Sequence, residues 1–191
     1  NSDSKAYYIS LAKKSLQEQY PTESTLARSD DFFVDEITFI EKFGFTDLDT
    51  YNQAERIGRA SANIKRETRK WVFAVYEKYI DFRTTAGHEY DWDDLALYVY
   101  LELQNDQTPR RYTHIIVDEG QDFSPMMIKS LVSATAYDGS FTFFGDVAQQ
   151  IYGSRLSWRD SGINTDTIWR FHDNYRNPST ITSLDKAITK S

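Results

Sequence analysis

Two adjacent carboxylates follow an apolar run in the segment Ile115-Ile116-Val117-Asp118-Glu119-Gly120-Gln121-Asp122. A second apolar run, Phe141-Thr142-Phe143-Phe144-Gly145-Asp146, ends in an acid in the same way. Short apolar runs bounded by glycine and polar residues are typical of buried parallel strands. Because ligands bind beyond the carboxyl ends of such strands, we expect both runs to direct carboxylates into one crevice. Mg²⁺ is usually held by one or two carboxylates plus phosphate oxygens, so the pattern predicts a magnesium–nucleotide site.

Strand and helix patterns alternate beyond Pro109. We predict strands over 112–118, 141–144 and 167–171. Ser124-Pro125 predicts the cap and first turn of a helix that Gly139 closes, and Asn177-Pro178 predicts the start of a helix that continues to Lys190. A strand–helix–strand unit of this length predicts a parallel pair of strands.

The part of the chain before Pro109 has helical patterns. We predict helices over 4–19, from Ser29 or Asp30 to Phe43, and over 47–57, 62–83 and 93–104. Gly44 stands just past the end of the second helix. Asp91, Asp93 and Asp94 stand near the start of the last helix, where capping explains them better than a metal site does.

The composition describes an acidic chain with one basic segment. The 191 residues carry a net charge of −7 and no cysteine, which excludes disulfides and thiolate metal sites. No apolar run is long enough to span a bilayer and nothing resembles a signal peptide, so we expect a cytoplasmic protein without a membrane partner. From Arg56 to Arg83, eight Lys or Arg stand against three acidic residues. This segment is either a solvated helix face or a surface that binds phosphates.

Three motifs resemble those of one enzyme family. The segment from Asp118 to Pro125 resembles motif II of the superfamily 1 helicases of the UvrD/Rep/PcrA type. The segment from Gly145 to Gly153 resembles their motif III, and Asn174-Tyr175-Arg176-Asn177-Pro178 resembles their motif IV. The motifs stand in the family's order and close to its spacing. The resemblance implies ATP and Mg²⁺ as cofactors and single-stranded DNA as the partner, with RNA as an alternative.

The resemblance also implies roles for individual residues. Asp118 would hold the Mg²⁺ of ATP, and Glu119 would orient and deprotonate the attacking water. Gln149 would sense the γ-phosphate, and Arg176 would contact it as a permanently charged fork. These parts suit phosphoryl transfer, which needs charge neutralisation and a water held in line.

The resemblance leaves two alternatives for Gln121 and Asp122 of motif II. These residues would either link motifs II and III or brace the loop.

The resemblance also points to residues that contact nucleic acid. Tyr152 would stack on a base, which contributes about 1–3 kcal/mol per base without sequence preference. Many relatives have a second aromatic two residues later, where this chain has Ser154. Arg155 is expected to contact a phosphate. From the basic segment we add Arg66 and Arg69 as candidate phosphate contacts.

The expected fold is α/β: a partial RecA-like (P-loop NTPase) parallel sheet preceded by a mostly helical inserted subdomain. We assign residues 1–88 to that subdomain, 89–173 to the later part of the first RecA-like domain, and 174–191 to the start of the second. The phosphate-binding signature G-x-x-x-x-G-K-[ST] is absent from the sequence. We therefore expect an internal piece of a longer helicase that is inactive alone and has an uncovered sheet edge favouring self-association.

The function predicted from the sequence is part of an ATP-dependent DNA helicase that translocates on single-stranded DNA. The alternative is a non-catalytic module that keeps the helicase fold and binds nucleic acid or protein. DNA binding that persists after Glu119→Gln, but falls after charge reversal at Arg66 and Arg69, would favour the module.

Overall fold

The computed structural model describes residues 2–54, 64–108, 111–145 and Trp169, and this part is mostly helical with a small two-stranded parallel sheet. Its helices are α1 (Ser2–Gln19), α2 (Asp30–Phe43), α3 (Leu48–Gln53), α4 (Arg66–Thr85), α5 (Leu95–Asn105) and α6 (Pro125–Ser133). Its strands are β1 (Tyr112–Val117) and β2 (Thr135–Phe143). Short 3₁₀ turns cover Ser24–Ala27 and Gly120–Asp122.

Local capping residues fix the ends of α2 as the sequence predicts. The hydroxyl oxygen of Ser29 accepts a hydrogen bond of 3.3 Å from the backbone N–H of Phe32. Gly44 follows the last turn with φ +70°, a left-handed conformation that glycine adopts without strain. Its N–H donates to the carbonyl of Glu41. These caps satisfy backbone groups that the helix itself leaves unpaired.

The largest apolar core lies among α1, α2, α3 and α4. Spacings of three and four residues bring one face of each long helix into this core. Its fully buried members include Ile9 and Ala12 of α1, Phe33, Ile37 and Ile40 of α2, Tyr51 of α3, and Val72 and Val75 of α4. A second, smaller cluster joins Ala96 and Leu97 of α5 to Met126 of α6. The described chain therefore contains two apolar clusters, one in the helices α1–α4 and one beside the sheet.

Several predicted helix boundaries differ from the structure. The helix predicted over 47–57 ends at Gln53, and residues 55–63 lie outside the described residues. The helix predicted over 62–83 begins at Arg66 and continues to Thr85. Ile64 and Lys65, which the prediction included, are not helical. The helix predicted over 93–104 begins at Leu95. There, the Asp91 carboxylate accepts hydrogen bonds from the N–H groups of Asp93 and Asp94, so it holds a turn ahead of the helix.

The two strands pair in parallel, as predicted, and regular pairing joins His114 to Ser140 and Val117 to Phe143. The prediction that α6 extends to Gly139 is wrong, because α6 ends at Ser133 and β2 begins at Thr135. The register is irregular between Tyr112 and His114. Gly139 lies in this irregular part, where a Cβ would lie 2.5 Å from the carbonyl oxygen of Thr113. This glycine permits a close approach of two strands rather than ending a helix.

The strands are less buried than their composition predicts. Val117 is buried, but Ile116 is 69% exposed and Tyr112 is 65% exposed. A strand is buried on both faces only where layers pack on both sides of its sheet, and the described part of the chain does not cover Ile116. The strand predicted over 167–171, apart from exposed Trp169, and the helix predicted over 177–190 lie outside the described residues.

Candidate active site

The turn after β1 presents two carboxylates at the carboxyl end of the sheet. Asp118 and Glu119 are both exposed. A carboxylate oxygen of Asp118 accepts a hydrogen bond of 2.9 Å from the N–H of Glu119. Glu119 has φ 52°, and it is the one described non-glycine residue with a positive φ. A residue in this region has about 1–3 kcal/mol of backbone strain, which clusters at functional sites.

Backbone hydrogen bonds fasten this turn to the end of β2. The N–H of Phe144 donates to the carbonyl of Val117 over 2.8 Å, and the N–H of Gly120 donates back to the carbonyl of Phe144 over 2.8 Å. Gly120 is buried, and a Cβ at this position would overlap the ring of Phe143. The parallel strands therefore end at the same edge of the sheet, as the sequence predicts. Asp146, the acid that follows β2, lies outside the described residues.

Gln121 holds the Glu119 side chain. Its side-chain amide donates a hydrogen bond of 2.6 Å to a carboxylate oxygen of Glu119. The amide oxygen of Gln121 also lies close to Gly145, since a Cβ at Gly145 would be 3.2 Å from it. Gln121 thus contacts Glu119 in the turn after β1 and lies beside Gly145, which follows the end of β2 by two positions. The hydrogen bond to Glu119 corresponds to the alternative in which Gln121 braces the loop, and a link between motifs II and III stays a prediction.

The start of α6 completes the turn. The N–H of Asp122 donates to the carbonyl of Glu119 over 3.1 Å, while the side chain of Asp122 is exposed. The Ser124 hydroxyl accepts from the N–H of Met127 over 3.2 Å, and Pro125 occupies the first helical position. This agrees with the predicted cap and first-turn proline. A capped helix that begins eight positions after the end of β1 restrains the other end of the turn.

The donor set of this turn fits Mg²⁺. Asp118 and Glu119 offer hard carboxylate oxygens, and Asp118 keeps an oxygen beyond the one that accepts from the backbone. Mg²⁺ is commonly bound through one or two carboxylates and completes its shell with water and phosphate oxygens. An exposed position at a strand end leaves room for those additional ligands. The chemistry that this arrangement permits is metal-assisted reaction of a phosphate, with Glu119 available to accept a proton.

The two arginines predicted to bind phosphates occupy different environments. Arg66 is exposed in the first turn of α4. Arg69 is 8% exposed, and its guanidinium donates to the carbonyls of Tyr51, Asn52 and Ala54 at the end of α3. Those carbonyls belong to a helix end, where a cation is favourable. In this geometry Arg69 ties α3 to α4, and only Arg66 presents its charge to solvent.

Four predicted site residues lie outside the described residues: Gln149, Tyr152, Arg155 and Arg176. Their positions relative to the Asp118–Glu119 turn stay predictions from the sequence.

Sequence reasoning missed a buried charged cluster away from this turn. Arg83 of α4 donates to Asp94, and these side chains are 2% and 0% exposed. Lys5 of α1 pairs with Glu41 of α2 and lies 2.8 Å from Asp93. The sequence places the partners far apart along the chain, so no local pattern indicates them. The three aspartates were predicted to cap the start of a helix, but Asp94, the residue before α5, makes no side-chain cap hydrogen bond, and Asp91 holds the turn ahead of the helix instead.

No helix in the described part of the chain combines the length and the apolar composition that crossing a membrane requires.

Comparison with known proteins identifies the family. The family model for the UvrD/REP helicase N-terminal domain matches residues 4–175. A relative from Bacillus subtilis (strain 168), "Putative ATP-dependent DNA helicase YjcD", is 29% identical over 147 residues, which cover 74% of this chain and 18% of that protein. DNA helicase II of Haemophilus influenzae is 32% identical over 133 residues, which cover 61% of this chain and 17% of that protein.

The chain thus spans less than a fifth of the length of these relatives. No solved structure gives a significant match. The family model nevertheless covers most of the sequence, including the Asp118–Glu119 turn and the helices before it. This chain belongs to the UvrD/REP helicase N-terminal domain family.

Proposed function

We propose that the whole protein carrying this chain is an ATP-dependent DNA helicase, which translocates on single-stranded DNA by hydrolysing ATP. The observation that carries the proposal is the Asp118–Glu119 turn, exposed at the carboxyl end of β1 and hydrogen-bonded to the end of β2. In this proposal the two strands belong to a larger RecA-like parallel sheet. Membership of the UvrD/REP family and relatives named as DNA helicases support the same conclusion.

Asp118 is proposed to hold Mg²⁺, which supplies positive charge to the β- and γ-phosphate oxygens when it is bound. Glu119 is proposed to accept the proton of the attacking water. The hydrogen bond from Gln121 restricts the Glu119 side chain, so the carboxylate is already oriented before the substrate binds. The backbone fastening of Gly120 to Phe144 keeps this geometry in place.

Gln149 and Arg176 are proposed to contact the γ-phosphate. A neutral amide both donates to and accepts from phosphate or water, while a guanidinium remains charged at every physiological pH. Tyr152 is proposed to stack on a base of single-stranded DNA, with phosphates bound by Arg155 and by Arg66. Arg66 is exposed, which supports its proposed contact with a phosphate. The Arg69 guanidinium instead donates hydrogen bonds to backbone carbonyls.

DNA-dependent ATP hydrolysis by the whole protein tests the proposal. Steady-state turnover should rise when single-stranded DNA is added. A protein that folds and binds DNA but shows no DNA-stimulated turnover would refute it, and would favour the non-catalytic module. We also propose that this chain alone does not hydrolyse ATP, because its 191 residues contain no G-x-x-x-x-G-K-[ST] phosphate cradle.

Charge reversal on α4 tests the DNA contact separately. Arg66→Glu should weaken DNA binding and lower its salt dependence, since each lost phosphate contact reduces the slope of log K against log salt by about one. A matched control is Glu67→Gln, which alters an exposed charge at the neighbouring position. Equal DNA affinity in the Arg66→Glu protein and the unchanged protein would remove Arg66 from the proposed site.

A further inference from the structure

A buried set of charges joins the helices α1–α4 to the segment that leads into α5. We call it the junction cluster, and its members are Lys5, Glu41, Arg83, Asp91, Asp93 and Asp94. Its charges are divided by position in the chain. Both cations belong to the helical part, and three of the four carboxylates belong to residues 91–94. The two sides therefore attract each other.

Arg83 is the central contact on α4. Its guanidinium donates to Asp94, to the hydroxyl of Tyr79 over 3.2 Å, and to the backbone carbonyl of Glu89 over 3.3 Å. It also lies 3.4 Å from a carboxylate oxygen of Asp91. The Tyr79 hydroxyl in turn donates to Asp91 over 2.5 Å. One fully buried cation thus holds several groups of the segment ahead of α5.

Lys5 makes the equivalent contact from α1. Its ammonium pairs with Glu41 and lies 3.1 Å from Asp91 and 2.8 Å from Asp93. Burial by itself lowers the pKa of Lys5, but Glu41 and Asp91 outweigh that effect and raise it. The ammonium is therefore charged throughout the physiological range. Lys5 and Arg83 hold the same short segment from two different helices.

Three of these carboxylates also have the spacing of a metal site. Oxygens of Glu41, Asp91 and Asp94 all lie within 4.8 Å of one another. Lys5 and Arg83 already contact these same carboxylates and provide the positive charge. A divalent cation would have to displace or repel both side chains. The arrangement consequently favours ion pairing within the protein over metal binding.

The cluster lies where apolar packing changes from one core to the other. The α1–α4 core and the small Ala96–Leu97–Met126 cluster are separate. The two parts also meet through α2, where Gly44 approaches the side chains of Met126 and Leu97. Ion pairs, unlike interdigitated apolar side chains, separate without leaving a cavity in a core.

We propose that the junction cluster is a polar lock between two separately packed units, α1–α4 on one side and α5, α6 and the sheet on the other. When the lock opens, α5 and the strand β1, which Asp118 follows, move relative to α1–α4, while each unit keeps its own core. The proposal concerns conformation and does not require that the chain bind DNA or nucleotide.

Hydrogen exchange of the 191-residue chain, measured by mass spectrometry, tests the lock. Asp94→Asn removes the charge with little change of shape and leaves Arg83 buried without its main partner, which is strongly unfavourable. Amides of α5 and β1 should exchange about 100-fold faster. Amides in α1 and α2 should change by less than about twofold, because their core is untouched. The matched control is Asp81→Asn, an exposed carboxylate on α4, which should change neither region.

A second variant breaks the lock from the other side. Lys5→Met removes the α1 cation and keeps an apolar stem of similar length, so it should accelerate the same α5 and β1 amides. Equal acceleration in all segments, or no acceleration in either variant, would overturn the proposal. If neither variant folds, the cluster is indispensable to the fold itself, and the proposal of a lock between independently stable units is wrong.

Discussion

The backbone N–H of Gly120 donates a hydrogen bond of 2.8 Å to the carbonyl of Phe144. This bond connects the turn after β1 with the end of β2, in the two segments that carry the acid-terminated patterns of the sequence. The residue before Gly120 is Glu119, whose side chain accepts a hydrogen bond from Gln121. The geometry of the candidate active site therefore depends on the space that glycine at position 120 leaves for the Phe143 ring.

Adding a methyl group at Gly120 should disturb this approach. A Cβ there would overlap the Phe143 ring, so we expect Gly120→Ala to lower the free energy of unfolding by about 1–3 kcal/mol. Urea unfolding followed by circular dichroism measures this loss. Phe143→Ala frees the space, so in that background Gly120→Ala should cost much less. Additive losses in the double variant would show that the ring is not what restricts position 120.

Arg69 and Arg66 should differ in their effect on stability. Arg69→Met deprives the carbonyls of Tyr51, Asn52 and Ala54 of their charged donor. We expect a loss of about 1.5–3 kcal/mol in the free energy of unfolding. The matched control Arg66→Met changes an exposed side chain and should stay within about 0.5 kcal/mol. Equal effects of the two variants on the urea midpoint would contradict the structural role of Arg69.

Glu41 should make stability depend on pH. Burial raises the pKa of its carboxyl well above the ordinary value of 4.5, against the opposing effect of Lys5. Above about pH 4.5 the unfolded chain has lost a proton that the folded chain still holds. The contribution of this group to folding therefore declines as pH rises from there through the folded pKa.

Glu41→Gln removes that ionisation while keeping the side-chain shape. Relative to the unchanged protein, the variant should gain stability as pH rises from about 4.5 through the folded pKa of Glu41, whatever its absolute stability. Urea midpoints of both proteins across this range provide the comparison. Parallel pH profiles would mean that Glu41 ionises equally in both states. Asp35→Asn, at an exposed acid on the same helix, controls for a general charge effect.

The uncovered side of the sheet should favour self-association of this chain. Ile116 is 69% exposed on β1, and Phe144 is 47% exposed just after β2. Apolar residues on a strand with unpaired backbone groups promote pairing between chains. We expect concentration-dependent growth of the mass measured by light scattering, and a smaller mass for Ile116→Lys. A monomer at every concentration would contradict this expectation.

Local signals predicted much of the fold. Helix caps could be predicted from the sequence because a capping residue pairs with backbone groups only a few positions away. Examples are Ser29, Gly44 and Ser124. The apolar runs also predicted a parallel pair of strands. Gly139 was misread because a glycine after a helical pattern has the same appearance whether it ends a helix or permits a close strand contact. The two cases are distinguished only by the structure, in which the carbonyl oxygen of Thr113 lies close to Gly139.

Non-local pairing explains what the sequence did not predict. Lys5 contacts Glu41 and Asp93, which are 36 and 88 positions away. Arg69 belongs to a basic segment, yet its partners are neutral carbonyls of another helix. Charge counted along the chain does not distinguish a solvated cation from one that caps a helix end. The Asp118–Glu119 turn could be predicted from the sequence because its residues are contiguous.

The most direct measurement is ATP hydrolysis by the whole protein with and without single-stranded DNA, for the unchanged sequence and for Glu119→Gln. Glu102→Gln, at an exposed glutamate on α5, is the matched control. We predict DNA-stimulated turnover that falls by about 10²–10⁴-fold in Glu119→Gln and is unchanged in the control. ATP binding should persist, because Asp118 remains. DNA-stimulated turnover that is unaffected by Glu119→Gln would contradict the assignment of this turn as the active site.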